Sequence, residues 1–212
     1  GNRKLGELAD MVSQFEVAGD YTQINYKGRP VRVTPLRYGD WIKWLNNRSQ
    51  GLPAYLVIDM VTQNVDVVRL EQGIRYTTAE HFGRNLNRYL RFRYPTYLFD
   101  APAFEIDEDG NPFWVCPRIR KTIGLFGGTD IAGAVLVNAV TGECAYYDAA
   151  DVPSWIDHVY PAELIIQQYD YHGTYVNGFI NSMFGQRDVT LTTEGYNYIA
   201  IGDDVYMYTG VT

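Results

Sequence analysis

Three histidines, His81, His158 and His172, are the side chains of this sequence best suited to acid–base chemistry. Two of them directly follow an acidic residue, in the pairs Glu80–His81 and Asp157–His158, and a carboxylate beside an imidazole is half of an acid–base device. No serine stands in a Gly-x-Ser-x-Gly nucleophile elbow, and adjacent side chains on a helix diverge by about 100°. We therefore expect no catalytic residues; a hydrolase built on either pair is the alternative.

Two loops contain residue types that bind ions or phosphates. Residues 107–111 read Asp-Glu-Asp-Gly-Asn, a cluster that suits Ca²⁺, but the full calcium-binding loop with its terminal Glu is missing. Residues 124–129 read Gly-Leu-Phe-Gly-Gly-Thr, without the Lys that reaches a phosphate in a P-loop. We predict a turn and a crossover loop, with no metal and no cofactor.

A basic stripe is the most distinctive predicted surface. Arg84, Arg88 and Arg91 recur at i, i+4 and i+7 of a helix predicted over residues 79–93. The chain has a net charge of −7, so a local positive stripe could contact an anionic partner such as a cell-envelope polymer or phospholipid headgroups. A solvated helix face is the alternative interpretation.

Two residue pairs allow either a structural or a functional interpretation. Trp41 and Trp44 could stack on a sugar, but their spacing in a short helix also fits core packing. Cys116 and Cys144 are the only cysteines and form no CxxC pattern, so a thiolate zinc site is unsupported. We expect two small buried side chains, with a single disulfide as the alternative.

Composition excludes several classes of function. Apolar residues make up 46% and charged residues 20% of the 212 residues, which is typical of a globular chain. The negative net charge argues against nucleic-acid binding, because that needs excess Lys and Arg. No apolar run approaches the roughly 20 residues of a membrane helix. The content of aromatic residues, with 18 Tyr, 9 Phe and 4 Trp, is unusually high. Most of them fall in predicted strands and helices, where aromatic side chains pack across neighbouring strands.

An internal repeat organises the sequence. Residues 24–35 and 106–117 share Ile, Gly, Pro, Val and Pro at an offset of 82, and residues 57–62 match 136–141 at an offset of 79. Two collinear matches that differ by a short gap indicate a duplication. Each match predicts a β-hairpin, because turn residues stand between alternating apolar positions. A third hairpin is predicted over 198–208, where the sequence ends soon afterwards, so we expect a truncated array.

Helices are predicted between these hairpins. An apolar periodicity of three and four residues predicts the first, over residues 5–15, and Asp40 is the predicted cap of a short second helix. The capping-box pattern Thr77-x-x-Glu80 predicts the start of a third helix over residues 79–93. Pro153 predicts the start of a fourth.

Four stretches support a resemblance to known proteins: residues 23–35, 151–157, 175–182 and 195–210. Together they resemble part of large Gram-positive proteins with N-terminal membrane segments, of the colicin-V-production or Tat-signal type. This resemblance implies an extracytoplasmic region that is membrane-anchored through segments absent from this sequence, and it implies no catalytic residues. The repeat unit is also similar to a PepSY module, which implies an inhibitory or binding role. Its apolar strand ends in Val-Asn-Ala-Val-Thr-Gly-Glu at 137–143.

These observations predict an α+β protein of tandem antiparallel hairpin–helix–hairpin units, PepSY-like, with helices packed on one face of each sheet. The units are expected at 1–72 and 73–150, with the helix and first hairpin of a third over 151–212. The predicted function is a non-enzymatic, extracytoplasmic binding or regulatory module of a membrane-anchored cell-envelope protein. Its expected partners are other protein domains or a cell-envelope polymer; a structural spacer is a further alternative.

Overall fold

The computed structural model describes residues 13–122, 128–201 and 204–212, which are mostly β. The strands are β1 (Phe15–Val17), β2 (Thr22–Tyr26), β3 (Arg29–Tyr38), β4 (Leu52–Asp59), β5 (Val65–Ile74), β6 (Leu98–Phe99), β7 (Ala103–Ile106), β8 (Pro112–Lys121), β9 (Thr129–Asn138), β10 (Cys144–Asp148), β11 (Asn197–Ile201) and β12 (Asp204–Tyr208). The helices are α1 (Trp41–Asn47), α2 (Leu86–Arg93), α3 (Ala162–Thr174) and α4 (Gly178–Ile180), with a 3₁₀ turn at Phe82–Arg84 and a π-helical turn at Asn181–Gly185.

The predicted hairpins at 24–35 and 106–117 are confirmed as the pairs β2–β3 and β7–β8. Lys27 and Gly28 have φ values of 53° and 70°, as a tight two-residue turn between twisted strands requires. In the β7–β8 turn, the carboxylate of Asp107 accepts the backbone N–H groups of Asp109 at 3.0 Å and Asn111 at 2.8 Å. The acidic run at 107–111 therefore uses its first carboxylate to close a turn.

Two five-stranded antiparallel sheets have the same strand order. In the first, β3 pairs with β1 and β2 along one edge and with β4 along the other, and β5 lies beyond β4. In the second, β8 occupies the place of β3, β6 and β7 share one edge, and β9 and β10 follow. The first strand of each sheet is thus interrupted, at 18–21 and at 100–102. The pair β11–β12 forms a separate hairpin.

The prediction of tandem hairpin–helix–hairpin units, with helices on one face of each sheet, is wrong. One cluster of buried side chains joins Ile24 and Leu56 of the first sheet to Phe104 and Val135 of the second. The two sheets therefore share one core, to which Leu86 and Leu90 of α2 also contribute, rather than each sheet having a helical layer of its own. A smaller cluster on the second sheet, which includes Val115, Ile131 and Leu136, packs against residues 156–164.

Two helices begin later than predicted. Helix α2 begins at Leu86, where the Asn85 side chain accepts the Arg88 N–H at 3.2 Å. The capping box is therefore wrong: Thr77 Oγ1 accepts the N–H of Ala79, and Glu80 turns into the protein. Helix α3 begins at Ala162 after Pro161, whereas the segment from Pro153 to that point is irregular.

The other two helix predictions have different outcomes. The Asp40 cap is confirmed, since its Oδ1 accepts the N–H of Lys43 at 2.9 Å at the start of α1. Most of the helix predicted over residues 5–15 lies outside the described residues, although Phe15 itself belongs to β1.

Candidate functional site

Exposed aromatic rings gather where α1 meets the 3₁₀ turn at Phe82–Arg84. We call this region the aromatic–arginine surface and define it by six residues: Trp41, Trp44, Arg48, His81, Phe82 and Arg84. The Asp40 cap fixes the start of α1, and Trp41 and Trp44 lie one turn apart on it. Part of the surface is a cavity of about 360 Å³, lined by all of its residues except Trp41, and by Glu80.

The rings of this surface form a stacked and edge-packed group. The Trp41 and Trp44 ring centroids are 4.6 Å apart with an interplanar angle of 28°. The His81 ring meets both indoles edge-on, at 5.1 Å from Trp41 and 4.8 Å from Trp44. Trp44 is only 3% exposed, whereas Trp41 is 51% and Phe82 60% exposed. A buried indole therefore supports a second aromatic layer that faces solvent.

A buried carboxylate fixes this group from below. Glu80 is 3% exposed and accepts hydrogen bonds from Trp44 Nε1 at 2.6 Å, from Tyr38 Oη at 3.1 Å and from the His81 N–H at 3.3 Å. Burial, and then the charge of Glu80, raise the pKa of Tyr38. Because charge-assisted hydrogen bonds are stronger than neutral ones, Glu80 holds Trp44 in one orientation.

Phe82 occupies a backbone conformation that aromatic residues rarely adopt. Its φ is 53°, in the left-handed region, where a side chain costs roughly 1–2 kcal/mol. The turn is held by Asn85, whose Nδ2 donates to the carbonyls of Thr78 and Glu80, each at 3.0 Å. Strained residues of this kind cluster at functional sites, and here the strained backbone carries a ring that is mostly exposed.

Two arginines border the rings. The Arg48 guanidinium lies 5.6 Å from the centroid of Trp44, within the range of a cation–π contact. Arg84 Nη1 donates to the carbonyl of Arg48, which ties the 3₁₀ turn to the end of α1. The surface thus combines aromatic faces with positive charge.

The predicted basic stripe is not one face of one helix. Arg84 lies in the 3₁₀ turn before α2, whereas Arg88 and Arg91 are exposed on α2, whose opposite face buries Leu86 and Leu90. Among the three arginines, Arg84 is the one that lines the aromatic cavity.

Asp157 and His158, which are neighbours in the sequence, each make a long-range contact. The Asp157 carboxylate accepts the N–H of Asn25 at 2.7 Å. His158 Nδ1 instead lies 3.3 Å from Oε1 of Glu105, a fully buried residue of β7. The same carboxylate accepts the N–H groups of Asp157 at 3.0 Å and His158 at 2.9 Å. Glu105 therefore anchors this loop, and the loop covers edge strands of both sheets.

The other histidines, the two cysteines and the Gly-rich loop form no catalytic or metal-binding group among the described residues. His81 meets Glu80 through its backbone N–H, and His172 is exposed in the last turn of α3. Both cysteines are free thiols; burial raises the pKa of each, and Cys116 is fully buried. Among the described residues, no three His, Cys, Asp or Glu side chains group as metal ligands. Most of the Gly-rich loop at 124–129 lies outside the described residues.

No family model, curated protein or solved structure matches this chain. No helix in the described ranges is long and apolar enough to cross a membrane. Function is therefore inferred from the geometry of individual side chains.

Proposed function

We propose that this chain is a non-enzymatic binding module that contacts an anionic cell-envelope polymer through the aromatic–arginine surface. The resemblance to membrane-anchored Gram-positive proteins supports an extracytoplasmic location for it. The observation that carries the proposal is the pair of exposed rings, Trp41 and Phe82, which lie beside two arginines. Both rings pack against Trp44, whose indole is held by the buried Glu80.

The composition of this surface is that of a recognition site. Aromatic residues and Arg are the types enriched at the energetic centres of interfaces. Ile42 and Leu45, on the same helix as Trp41, are 68% and 48% exposed, so apolar area extends beyond the rings. Contiguous exposed apolar area of this kind marks binding sites on soluble domains.

The charge of the surface indicates the class of partner. The chain carries a net charge of −7, so a surface with two guanidinium groups differs in sign from the molecule as a whole. Arg binds phosphate oxygens in a bidentate geometry, and flat aromatic faces such as that of Trp41 can cover the apolar face of a sugar. A polymer of phosphate-linked sugars offers both groups.

Titration calorimetry with glycosylated poly(ribitol phosphate) tests the proposal. We expect binding that weakens with salt and that falls about tenfold or more in Trp41→Ala, because exposed interface tryptophans contribute roughly 2 kcal/mol. The pair Arg48→Gln and Arg84→Gln should also weaken binding and reduce its salt dependence. Equal affinity of Trp41→Ala and the natural protein would refute the proposal. The matched control is Arg88→Gln, on the exposed face of α2.

A hydrolase based on a histidine–carboxylate pair is a second candidate, because His158 contacts Glu105 at 3.3 Å. The Glu105 carboxylate also accepts two backbone N–H groups and so anchors the loop. This structural role argues for the binding module and against a hydrolase. The exposed aromatic–arginine surface likewise argues against a purely structural spacer.

A further inference from the structure

An exposed apolar segment follows helix α3. Residues 175–180 and 183–188 are exposed, with only Asn181 and Ser182 half-buried between them, so this segment projects from the rest of the chain. The exposed fractions of its large apolar side chains lie between 46% and 85%. We call these six side chains the apolar tip: Tyr175, Val176, Phe179, Ile180, Met183 and Phe184. Exposed apolar area of this extent marks a binding surface.

The polar side chains of this segment bind its own backbone. The Asn181 carboxamide contacts both backbone groups of Arg187, since its Oδ1 accepts the N–H at 3.1 Å and its Nδ2 donates to the carbonyl at 2.9 Å. Asn177 Nδ2 donates to the same carbonyl at 3.0 Å, and Ser182 Oγ donates to the carbonyl of Phe179 at 2.7 Å. Polar groups thus turn inward and apolar side chains face outward, the reverse of the arrangement that water favours.

The backbone beside the tip is held in an unusual conformation. Gln186 and Asp188 have φ values of 47° and 57°, in the left-handed region that residues with a side chain rarely adopt. A Cβ at Gly185 would lie 2.7 Å from Oδ1 of Asn181, so the Asn181 contacts require a glycine there. The segment therefore has a defined shape, and strained backbone of this kind clusters at functional sites.

The charges around the tip indicate the class of partner. No Asp, Glu, Lys or Arg stands between Asp170 and Arg187, although the chain has a net charge of −7. Where this uncharged run ends, Arg187 Nε lies 3.7 Å from Oδ2 of Asp188, so the boundary carries one charge of each sign. Hydrocarbon accepts an uncharged segment whose backbone groups are bonded internally, and a zwitterionic headgroup matches a boundary of zero net charge.

Tyrosines lead from α3 to the tip. Tyr169 and Tyr171 of α3 are 48% and 41% exposed. The Tyr171 and Tyr175 ring centroids are 6.2 Å apart, and Tyr175 stacks on Phe179 at 6.4 Å. Tyrosine is enriched where membranes meet water, because its ring is apolar and its hydroxyl is polar. The order from Tyr to Phe therefore fits increasing depth in a bilayer interface.

We propose that the apolar tip inserts into the interfacial region of a zwitterionic lipid bilayer. Interfaces with proteins form hydrogen bonds as well as apolar contacts, whereas the amide side chains of this segment are bonded within it, which favours lipid. Insertion of this kind holds a domain on the membrane surface without crossing the bilayer. The tip shares no residue with the aromatic–arginine surface, so either proposal can fail without the other.

Flotation with phosphatidylcholine vesicles tests this inference. The tip variant combines Ile180→Ser with Phe184→Ser, and the control variant combines Val61→Ser with Phe92→Ser. The control side chains are 77% and 82% exposed, against 76% and 85% at the tip. We expect the natural protein and the control variant to float at low and high salt alike, because uncharged contacts are not screened. The tip variant should bind at least about tenfold more weakly, since burial of a single Phe or Ile favours association by that factor.

Brominated phosphatidylcholine distinguishes insertion from contact with the headgroups. Bromine atoms on the acyl chains quench a tryptophan that reaches the hydrocarbon. Relative to the natural protein, Phe184→Trp should therefore add fluorescence that these vesicles quench, whereas the fluorescence added by Phe92→Trp should persist.

Three results would overturn the inference. The first is equal vesicle binding by the tip variant and the natural protein, and the second is equal quenching of Phe184→Trp and Phe92→Trp. The third is a natural protein that does not bind the vesicles but self-associates through contacts that the tip variant loses. This last result would assign the tip to a second copy of the chain.

Discussion

Replacing Glu80 by Ala should destabilise the fold by about 2–6 kcal/mol. The substitution removes the acceptor for two largely buried donors, Trp44 Nε1 and Tyr38 Oη, and each buried donor left unpaired costs about 1–3 kcal/mol. The third donor, the His81 N–H, belongs to an exposed residue that water can reach, so it adds little. Domains of this kind are stable by about 5–15 kcal/mol, so the loss is a large fraction of the total.

A double-mutant cycle isolates the bond between Glu80 and Trp44. Trp44→Phe removes the Nε1 donor and keeps an aromatic ring, so the cycle with Glu80→Ala should give a coupling energy of about 1–3 kcal/mol. Glu80→Gln keeps one carbonyl oxygen as acceptor and should lose less than Glu80→Ala. The measurement is urea unfolding followed by far-UV circular dichroism, which does not depend on the fluorescence of the substituted tryptophan.

The cycle also has a clear negative result. If Glu80→Ala costs less than about 1 kcal/mol, or if the two substitutions add independently, then Glu80 does not hold Trp44 in place. The role given to Glu80 beneath the aromatic–arginine surface would then be wrong, whatever the surface binds.

Two further substitutions test the contacts that join the sheets and the covering loop. Tyr55→Phe should cost about 1 kcal/mol in urea unfolding, because Tyr55 Oη donates to Gly110 O at 2.7 Å, whereas Tyr21→Phe at an exposed position should change nothing. Burial also raises the pKa of Tyr55 to about 12. The folded protein therefore keeps a phenol proton that the unfolded chain loses above about pH 10. The free energy of unfolding should fall as the pH rises from 10 to 12, and it should fall less in Tyr55→Phe. Glu105→Gln keeps one acceptor oxygen for two backbone N–H groups and should cost about 1–3 kcal/mol; an unchanged urea midpoint would show that the loop is not anchored there.

Features set by neighbouring residues could be predicted from the sequence. The Lys27-Gly28 turn follows from a glycine, which adopts positive φ at no steric cost, placed between alternating apolar residues. The Asp40 cap follows from a side chain that reaches the backbone three residues on. Thr77 and Glu80 match a capping box equally well, but Glu80 binds Trp44 instead. A tertiary hydrogen bond outcompeted a local one, so the start of α2 was misplaced.

The sheet packing and the sites depend on contacts that no local pattern contains. Alternating apolar residues identify a strand and its buried face, but not whether a helix or another sheet covers that face. Glu105 contacts His158, which is 53 residues away. No sequence pattern around either residue predicts this contact. The Trp41–Trp44 spacing was visible, but only the structure shows that one indole is buried and the other exposed.

The bond between Asn25 and Asp157 spans 132 residues and has a consequence for biosynthesis. During translation, at about 5–20 residues per second, β2 leaves the ribosome on the order of ten seconds before the loop that covers it exists. Until then the N–H groups on the side of β2 that faces away from β3 form an open edge for other nascent chains. Chains that stop before residue 157 leave this edge uncovered, so they are expected to aggregate more readily than the full chain.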